Sequence, residues 1–132
     1  MKNLFDISGK VAVVTGGSRG IGAMIARGFV ENGCKTYICS RNLEQAEDTV
    51  KSLSEYGECI ALQADLSTVA GIEDFVAEIA AREERIDILV NNAGAVWAAP
   101  LDDFPESGWD KVMDINVKSV FFLTQKFLPL LR

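Results

Sequence analysis

Short apolar runs alternate with longer amphipathic stretches along the chain, and this alternation predicts its secondary structure. Four short apolar runs predict strands, and the first of them is apolar without alternation, which is typical of a strand covered on both faces. Between these runs apolar residues recur every three or four positions, which predicts helices. The predicted strands span 10–15, 35–39, 58–64 and 86–91, and the predicted helices span 20–32, 42–55, a stretch after Ser67 and a stretch after Ser107.

The predicted helix ends carry their own signals. Gly33 follows the first helix as a C-cap. Asn42 and Ser107 each begin a sequence that resembles a capping box, and Ser67 is placed to cap the third helix. Beyond Ser107, apolar residues at helical spacing predict one long fourth helix. Its apolar stripe consists of Trp109, Val112, Met113, Val117, Val120 and Phe121.

Four strand–helix units in succession predict a parallel sheet with right-handed crossovers and helices on both faces. The predicted fold class is therefore α/β, a three-layer, doubly wound Rossmann fold that ends after four strand–helix units. A length of 132 residues fits a single domain spanning 1–132. In such a sheet, the ligand crevice lies at the carboxyl ends of the strands.

The glycine-rich segment 15–22 follows the first predicted strand and opens the first helix. Glycines let the backbone approach a pyrophosphate closely, and the helix N-terminus offers free N–H groups. The same segment also fits a strand-to-helix turn that binds nothing. Polar residues at the other strand ends, namely Ser40 and Arg41, Asp65 and the segment 91–94, converge on the same edge of the sheet. This convergence favours a dinucleotide-binding domain.

Composition excludes several other classes of protein. The net charge is −6 and no cluster of Lys and Arg occurs, so nucleic acid is not expected as a partner. No apolar run approaches the roughly 20 residues of a membrane span, and residues 1–6 lack a hydrophobic signal core, so a cytoplasmic location is expected. The absence of histidine removes Ser-His triads and most zinc chemistry. Cys34, Cys39 and Cys59 lack metal-type spacing and are expected to be buried free thiols, without a metal.

The end of the second strand indicates which dinucleotide is bound. An Asp or Glu there would bond the ribose 2′-hydroxyl of NAD. This chain has Ser40, Arg41 and Asn42 instead, with no carboxylate among them. Arg41 and Arg19 are expected to clamp a 2′-phosphate through charge-assisted hydrogen bonds. NADP(H) is therefore the predicted cofactor.

Four motifs together resemble one family. Thr15-Gly16-x-x-x-Gly20-x-Gly22, Asp65, Asn91-Asn92-Ala93-Gly94 and Asn116 within Asp114-Ile115-Asn116-Val117 occur in this order. They resemble the N-terminal half of a short-chain dehydrogenase/reductase, and the resemblance covers essentially the whole chain. Within that family, the segments 96–97, 107–109 and 128–132 are similar to β-ketoacyl (3-oxoacyl-ACP) reductases, including the type associated with rhamnolipid synthesis.

The motifs and the resemblance assign the site residues. Thr15 is expected to bond across to the loop at 91–94, and the carboxylate of Asp65 to accept from the adenine amino group, although Asp65 also suits the dipole of the next helix. The predicted cofactor-binding residues are Thr15, Gly16, Ser18, Arg19, Gly20, Ile21, Gly22, Ser40, Arg41, Asn42, Asp65, Leu66, Asn91, Ala93 and Gly94.

Asn116 is the predicted catalytic residue. Counting by three and four from Val112 and Met113 places it on the apolar stripe of its helix. An unpaired buried amide would cost about 1–3 kcal/mol, so a partner must satisfy it. The resemblance implies that Asn116 distorts its helix and holds a water in a proton relay. A purely structural hydrogen bond between helices is the alternative.

The resemblance implies hydride transfer between NADPH and the ketone of a small-molecule substrate, such as a 3-oxoacyl thioester. The family also uses a Ser and a Tyr-x-x-x-Lys, whereas Tyr37 and Tyr56 are followed four residues later by Arg41 and Ile60. The chain is therefore expected to be a cofactor-binding half that binds NADPH without turnover. A non-catalytic nucleotide-binding or dimerisation module is the alternative. The resemblance also implies a homo-oligomer that associates through exposed residues of the last helix, Phe121, Phe122, Phe127 or Leu128.

Overall fold

A computed structural model describes residues 3–132, so the first two residues of the amino-terminal segment considered above lie outside the described part. Four parallel strands form one sheet in the order β3-β2-β1-β4. The strands are β1 (Val11–Thr15), β2 (Lys35–Ser40), β3 (Cys59–Gln63) and β4 (Ile88–Val90). This confirms the predicted parallel sheet and brings the carboxyl ends of all four strands to one edge.

Five helices accompany the sheet: α1 (Gly20–Glu31), α2 (Leu43–Leu53), α3 (Val69–Ala80), α4 (Glu106–Met113) and α5 (Ser119–Leu131). A short 3₁₀ turn spans Leu101–Asp103, and a π-helical segment, Asp114–Lys118, joins α4 to α5. Within residues 3–132, no helix is both long enough and apolar enough to cross a membrane.

Two apolar clusters, one on each face of the sheet, produce the predicted three layers. On one face, α3 and α5 pack against β1 and β2 around Phe75 and Phe127, whose rings meet edge to face at 5.8 Å. On the other face, α1 and α2 pack against Val14 and Ile38. Full burial of a side chain as large as these contributes about 1.5–3 kcal/mol. The three cysteines are free and buried, as expected.

Two helices begin at a residue other than the one predicted. The N-cap of α3 is Thr68, whose hydroxyl accepts from the N–H of Gly71, because Ser67 is already bonded to Asp65. The N-cap of α4 is Pro105 rather than Ser107. Pro105 has extended backbone and no side-chain hydrogen-bonding group, so its residue type does not mark it as an N-cap.

The predicted long fourth helix is interrupted, and its apolar stripe is only partly buried. The π-helical segment inserts one extra residue into the turn, which shifts the inward face of everything that follows. Phe127 is consequently 0% exposed, which makes its predicted exposure wrong. Phe121, by contrast, is 63% exposed, and Trp109, Val117 and Leu128 also reach solvent.

A polar cluster ties the segment after α3 to the amino end of β2. Tyr37 donates a hydrogen bond to Glu83 at 2.7 Å, and the Lys35 ammonium lies 2.8 Å from the same carboxylate. Burial raises the pKa of Glu83, but the hydrogen bonds from Lys35 and Tyr37 outweigh it and hold the pKa below its ordinary value of 4.5. The folded state therefore favours the ionised carboxylate.

This cluster makes the stability of the fold depend on acid pH. Because the pKa of Glu83 is lower in the folded state, the contribution is complete above pH 4.5 and disappears as the pH falls through the folded-state pKa. Glu83→Gln is expected to lower the free energy of unfolding by about 1–2 kcal/mol at neutral pH and to flatten its acid dependence. Urea unfolding from neutral pH to below pH 4.5 measures the free energy of unfolding and its acid dependence. The control is Glu84→Gln, a substitution of the exposed neighbouring residue. Parallel pH curves for wild type and Glu83→Gln would contradict the assignment.

Candidate functional site

A cavity of about 580 Å³ opens at the carboxyl edge of the sheet. The glycine turn between β1 and α1, the ends of β2 and β3, the loop after β4, and the end of α4 with the start of the π-helical segment surround it. Twelve residues predicted from the sequence line this cavity: Gly16, Ser18, Arg19, Gly20, Ile21, Gly22, Ser40, Arg41, Asn42, Leu66, Ala93 and Gly94. The strand ends therefore converge on one site as the doubly wound topology requires.

The glycine turn is compact because its backbone segments touch one another. Gly16 has a φ of 64°, a left-handed conformation that disfavours a side chain. A Cβ on Gly22 would overlap the carbonyl oxygen of Gly16 and lie 2.5 Å from the side-chain nitrogen of Asn92. Glycine at 22 thus lets the first turn of α1 lie directly against the turn that precedes it.

Thr15 braces the glycine turn against the loop after β4, as the sequence predicts. Its hydroxyl accepts from the N–H groups of Asn92 and Ala93, both at 3.0 Å, and is 3.3 Å from the carbonyl oxygen of Val90. Asn92 completes the brace by donating from its side chain to the carbonyl oxygens of Thr15 at 3.1 Å and Gly16 at 3.2 Å. Thr15 is itself buried and holds the lining residues in place without lining the cavity.

Of the two adjacent asparagines, the structure puts Asn92 and not Asn91 at the cavity. The side-chain amide of Asn91 donates to the hydroxyl of Thr124 on α5, 3.3 Å away. Successive residues leaving a strand point to opposite sides, so only one of the pair can face the turn. Asn91 thus contributes to the packing of α5, and Asn92 is a residue that sequence reasoning missed.

The cavity has a positive side. Arg19 and Arg41 are both solvent-exposed, and neither forms a salt bridge with any residue in the described range 3–132. The first turn of α1 has no acidic side chain and, among the described residues, no side-chain cap. Its N–H groups and the two guanidinium groups are available to an anion.

Asp65 lies beside the cavity, although its neighbours Leu66 and Ser67 form the lining. One carboxylate oxygen accepts from the Ser67 hydroxyl at 2.6 Å and from the Ser67 N–H at 3.0 Å. These two hydrogen bonds lower the pKa of Asp65 and outweigh the opposing effect of desolvation. An ionised acceptor is therefore held at the end of β3.

Asn116 lies in the π-helical segment and connects it to the loop after β4. Its side chain accepts from the N–H of Ala95 at 2.8 Å and donates to the carbonyl oxygen of Ala95 at 3.0 Å. Its partner is thus a loop residue rather than another helix, so the alternative of a hydrogen bond between helices is not what the structure shows. Asn116 is also exposed rather than buried, because the π-helical turn rotates it away from the apolar stripe.

The comparisons with known proteins give the same family as the motifs. The sequence model described as short chain dehydrogenase matches residues 10–132. The chain belongs to the short-chain dehydrogenase family.

Individual short-chain dehydrogenases are similar over most of the chain. The rhamnolipids biosynthesis 3-oxoacyl-[acyl-carrier-protein] reductase of Pseudomonas aeruginosa is 51% identical over 132 residues, which is 100% of this chain and 52% of that protein. The Pseudomonas aeruginosa RhlG/NADP active-site complex superposes with a TM-score of 0.94 at 50% identity, covering 98% of this chain and 51% of that one. A metagenomic short-chain oxidoreductase in complex with NADP gives a TM-score of 0.89 at 36% identity, covering 95% and 57%. The chain spans about half the length of the relatives it matches.

Several residues that line the cavity of this short-chain dehydrogenase were not predicted from the sequence. They are Cys39, Gln45, Ala64, Ser67, Asn92, Ala95, Lys111, Asp114 and Ile115. Helical periodicity counted from Asn42 could have indicated Gln45, whereas nothing in the sequence distinguishes Lys111 from other surface lysines. Cys39 is not a candidate nucleophile, because burial raises its pKa to about 12.

Proposed function

We propose that this short-chain dehydrogenase binds NADP(H) in the cavity at the carboxyl edge of the sheet. The observation that carries the proposal is the pair Arg19 and Arg41 beside Ser40 and Asn42, with no carboxylate at the end of β2. Guanidinium groups bind phosphate through paired, charge-assisted hydrogen bonds. A carboxylate at this position would instead bond the 2′-hydroxyl of NAD. The names of two similar structures, both NADP complexes, support the same cofactor.

The remaining predicted residues fit the other parts of the dinucleotide. The first turn of α1, with Gly20, Ile21 and Gly22, offers N–H groups to the pyrophosphate. The ionised Asp65 and the N–H of Leu66 suit the adenine ring, and the loop with Ala93 and Gly94 borders the adenosine side. Thr15 and Asn91 hold this loop and α5 in place without lining the cavity. We propose residues 1–132 as a single dinucleotide-binding unit.

The reaction we infer is reduction of a ketone, with a 3-oxoacyl thioester as the substrate class. NADPH supplies the hydride to the carbonyl carbon when it is bound. From the resemblance of its motif to that of the family, we assign Asn116 to the proton relay. Its side chain fixes the loop after β4 to the π-helical segment. The 51% identity to a 3-oxoacyl-[acyl-carrier-protein] reductase supports this substrate class.

The isolated segment 1–132 is expected to bind NADPH without oxidising it. Its tyrosines, Tyr37 and Tyr56, are not followed by a Lys four residues later. The hydroxyl of Tyr37 also donates a hydrogen bond to Glu83 at the opposite end of the sheet. The test measures NADPH binding by tryptophan fluorescence and NADPH absorbance after a 3-oxoacyl thioester is added. Loss of absorbance that depends on the thioester would contradict the assignment as a cofactor-binding half. Failure to bind NADPH would favour the dimerisation module.

A further inference from the structure

Helix α2 contacts the glycine turn through two polar side chains that the proposed function does not use. The hydroxyl of Thr49 donates to the carbonyl oxygen of Ser18 at 2.5 Å. The hydroxyl of Ser18, in turn, donates to the side-chain oxygen of Gln45 at 3.4 Å. Ser18 is only 8% exposed, so both contacts are largely shielded from water. The residue that follows is Arg19.

The same helix also holds the loop that carries the second arginine. Asn42 caps α2 by accepting from the N–H of Gln45 at 3.1 Å, and its own N–H donates to the hydroxyl of Ser40 at 3.1 Å. Arg41 lies between these two bonded residues. One rigid helix therefore fixes the backbone on either side of Arg41 and immediately before Arg19.

The pyrophosphate end of the glycine turn is restrained from elsewhere. Asn92 holds the carbonyl oxygen of Gly16, and Gly22 packs directly on Gly16. The Asn92 contact comes from the β4 side of the cavity and the Gly22 contact from α1, so neither involves α2. The turn is thus held in two places, and the α2 contacts act on Ser18, the residue before Arg19.

We propose that Thr49 and Gln45 are positioning residues that set the relation between Arg19 and Arg41, and so select a dinucleotide with a 2′-phosphate. Two guanidinium groups bind one phosphate strongly only when both are held at the correct separation. Releasing Ser18 from α2 frees Arg19 while the N–H groups of α1 stay in place. The inference rests on the proposed NADP(H) site and adds to it the residues that make the site prefer NADPH to NADH.

The test compares dissociation constants for NADPH and NADH in the intact protein. Thr49→Val keeps the shape of the side chain but removes the hydroxyl, and it is expected to weaken NADPH binding about fivefold, the effect of one hydrogen bond. NADH binding is expected to change less than about twofold, because the pyrophosphate restraints are intact. Thr49→Ser should restore the wild-type ratio. Ser52→Ala is the control, since within residues 3–132 the Ser52 hydroxyl bonds to a backbone carbonyl of its own helix and not to the glycine turn.

The ratio of the two dissociation constants separates positioning from a general loss of stability, which would weaken both cofactors equally. An unchanged ratio in Thr49→Val would overturn the inference while leaving the NADP(H) site intact. Wild-type protein without preference for NADPH would overturn the proposed function and this inference with it. If Thr49→Val does not fold, Gln45→Leu decides: a reduced preference for NADPH supports the inference, and an unchanged preference overturns it.

Discussion

Replacing Gly22 with alanine is expected to weaken NADPH binding at least about a hundredfold and to destabilise the fold by about 1–3 kcal/mol, the typical result of overpacking. The added methyl group would overlap the carbonyl oxygen of Gly16 and press on the side-chain nitrogen of Asn92, 2.5 Å away. Neither neighbour can yield easily, because Asn92 also bonds to Thr15. The first turn of α1 must then move, and its N–H groups move with it.

Gly28→Ala on the same helix is the matched control. Apart from its chain neighbours and the nearby backbone of α1 itself, no atom of the described residues lies within 4 Å of the position that its Cβ would take. Alanine in a helix interior is more favourable than glycine by about 1 kcal/mol, so this variant should be more stable and bind NADPH normally. Urea unfolding and fluorescence titration measure both properties. Normal NADPH binding by Gly22→Ala would show that the turn does not have to close on α1 in order to hold a cofactor.

Replacing Arg41 with alanine is expected to weaken NADPH binding about 10- to 100-fold, which corresponds to the about 1.5–3 kcal/mol of a hydrogen bond to a charged group. NADH binding should change by less than about twofold, since NADH has no 2′-phosphate for the guanidinium to bind. Arg19→Ala should act in the same direction. Titration of each variant with both cofactors gives the ratio of the two dissociation constants. The salt concentration is held fixed, because salt screens the interactions of exposed charges.

Arg82→Ala is the control for the loss of positive charge. Arg82 is also exposed, but it follows α3 and pairs with Glu78 on that helix, away from the lining of the cavity. Its removal should leave both dissociation constants unchanged. An Arg41→Ala variant that loses NADPH and NADH affinity equally would show that Arg41 supports the loop rather than binding the 2′-phosphate.

The layers and the sheet were predictable from the sequence because burial dictates them. A strand covered on both faces is mostly apolar, as β1 is over 11–14, and a helix packed on one side is apolar on one stripe. Parallel strands joined by helices then leave few topologies. Helix starts were less predictable, since Pro105 and Thr68 act through backbone geometry and competition with Asp65 rather than through residue type alone.

The site residues were predictable where glycines and charged residues mark them. They were less predictable where a shift of one position along the chain determines which side chain faces the cavity. Asn91 and Asn92 are chemically identical, and only the exact end of β4 determines which one reaches the glycine turn. The need of Asn116 for a hydrogen-bonding partner was predicted, but its position on the buried apolar stripe was not correct. Its partner, Ala95, and its exposure depend on a π-helical turn that periodicity with a fixed 3.6-residue repeat does not describe.

The 2′-phosphate is the group that Arg19 and Arg41 are proposed to bind, so the preference for NADPH over NADH tests the account most directly. Tryptophan fluorescence of the intact protein, which contains Trp97 and Trp109, can follow titration with either cofactor. Two charge-assisted contacts predict a dissociation constant for NADPH at least about tenfold below that for NADH. Equal affinity for the two cofactors would contradict the assignment of the two arginines and of NADP(H).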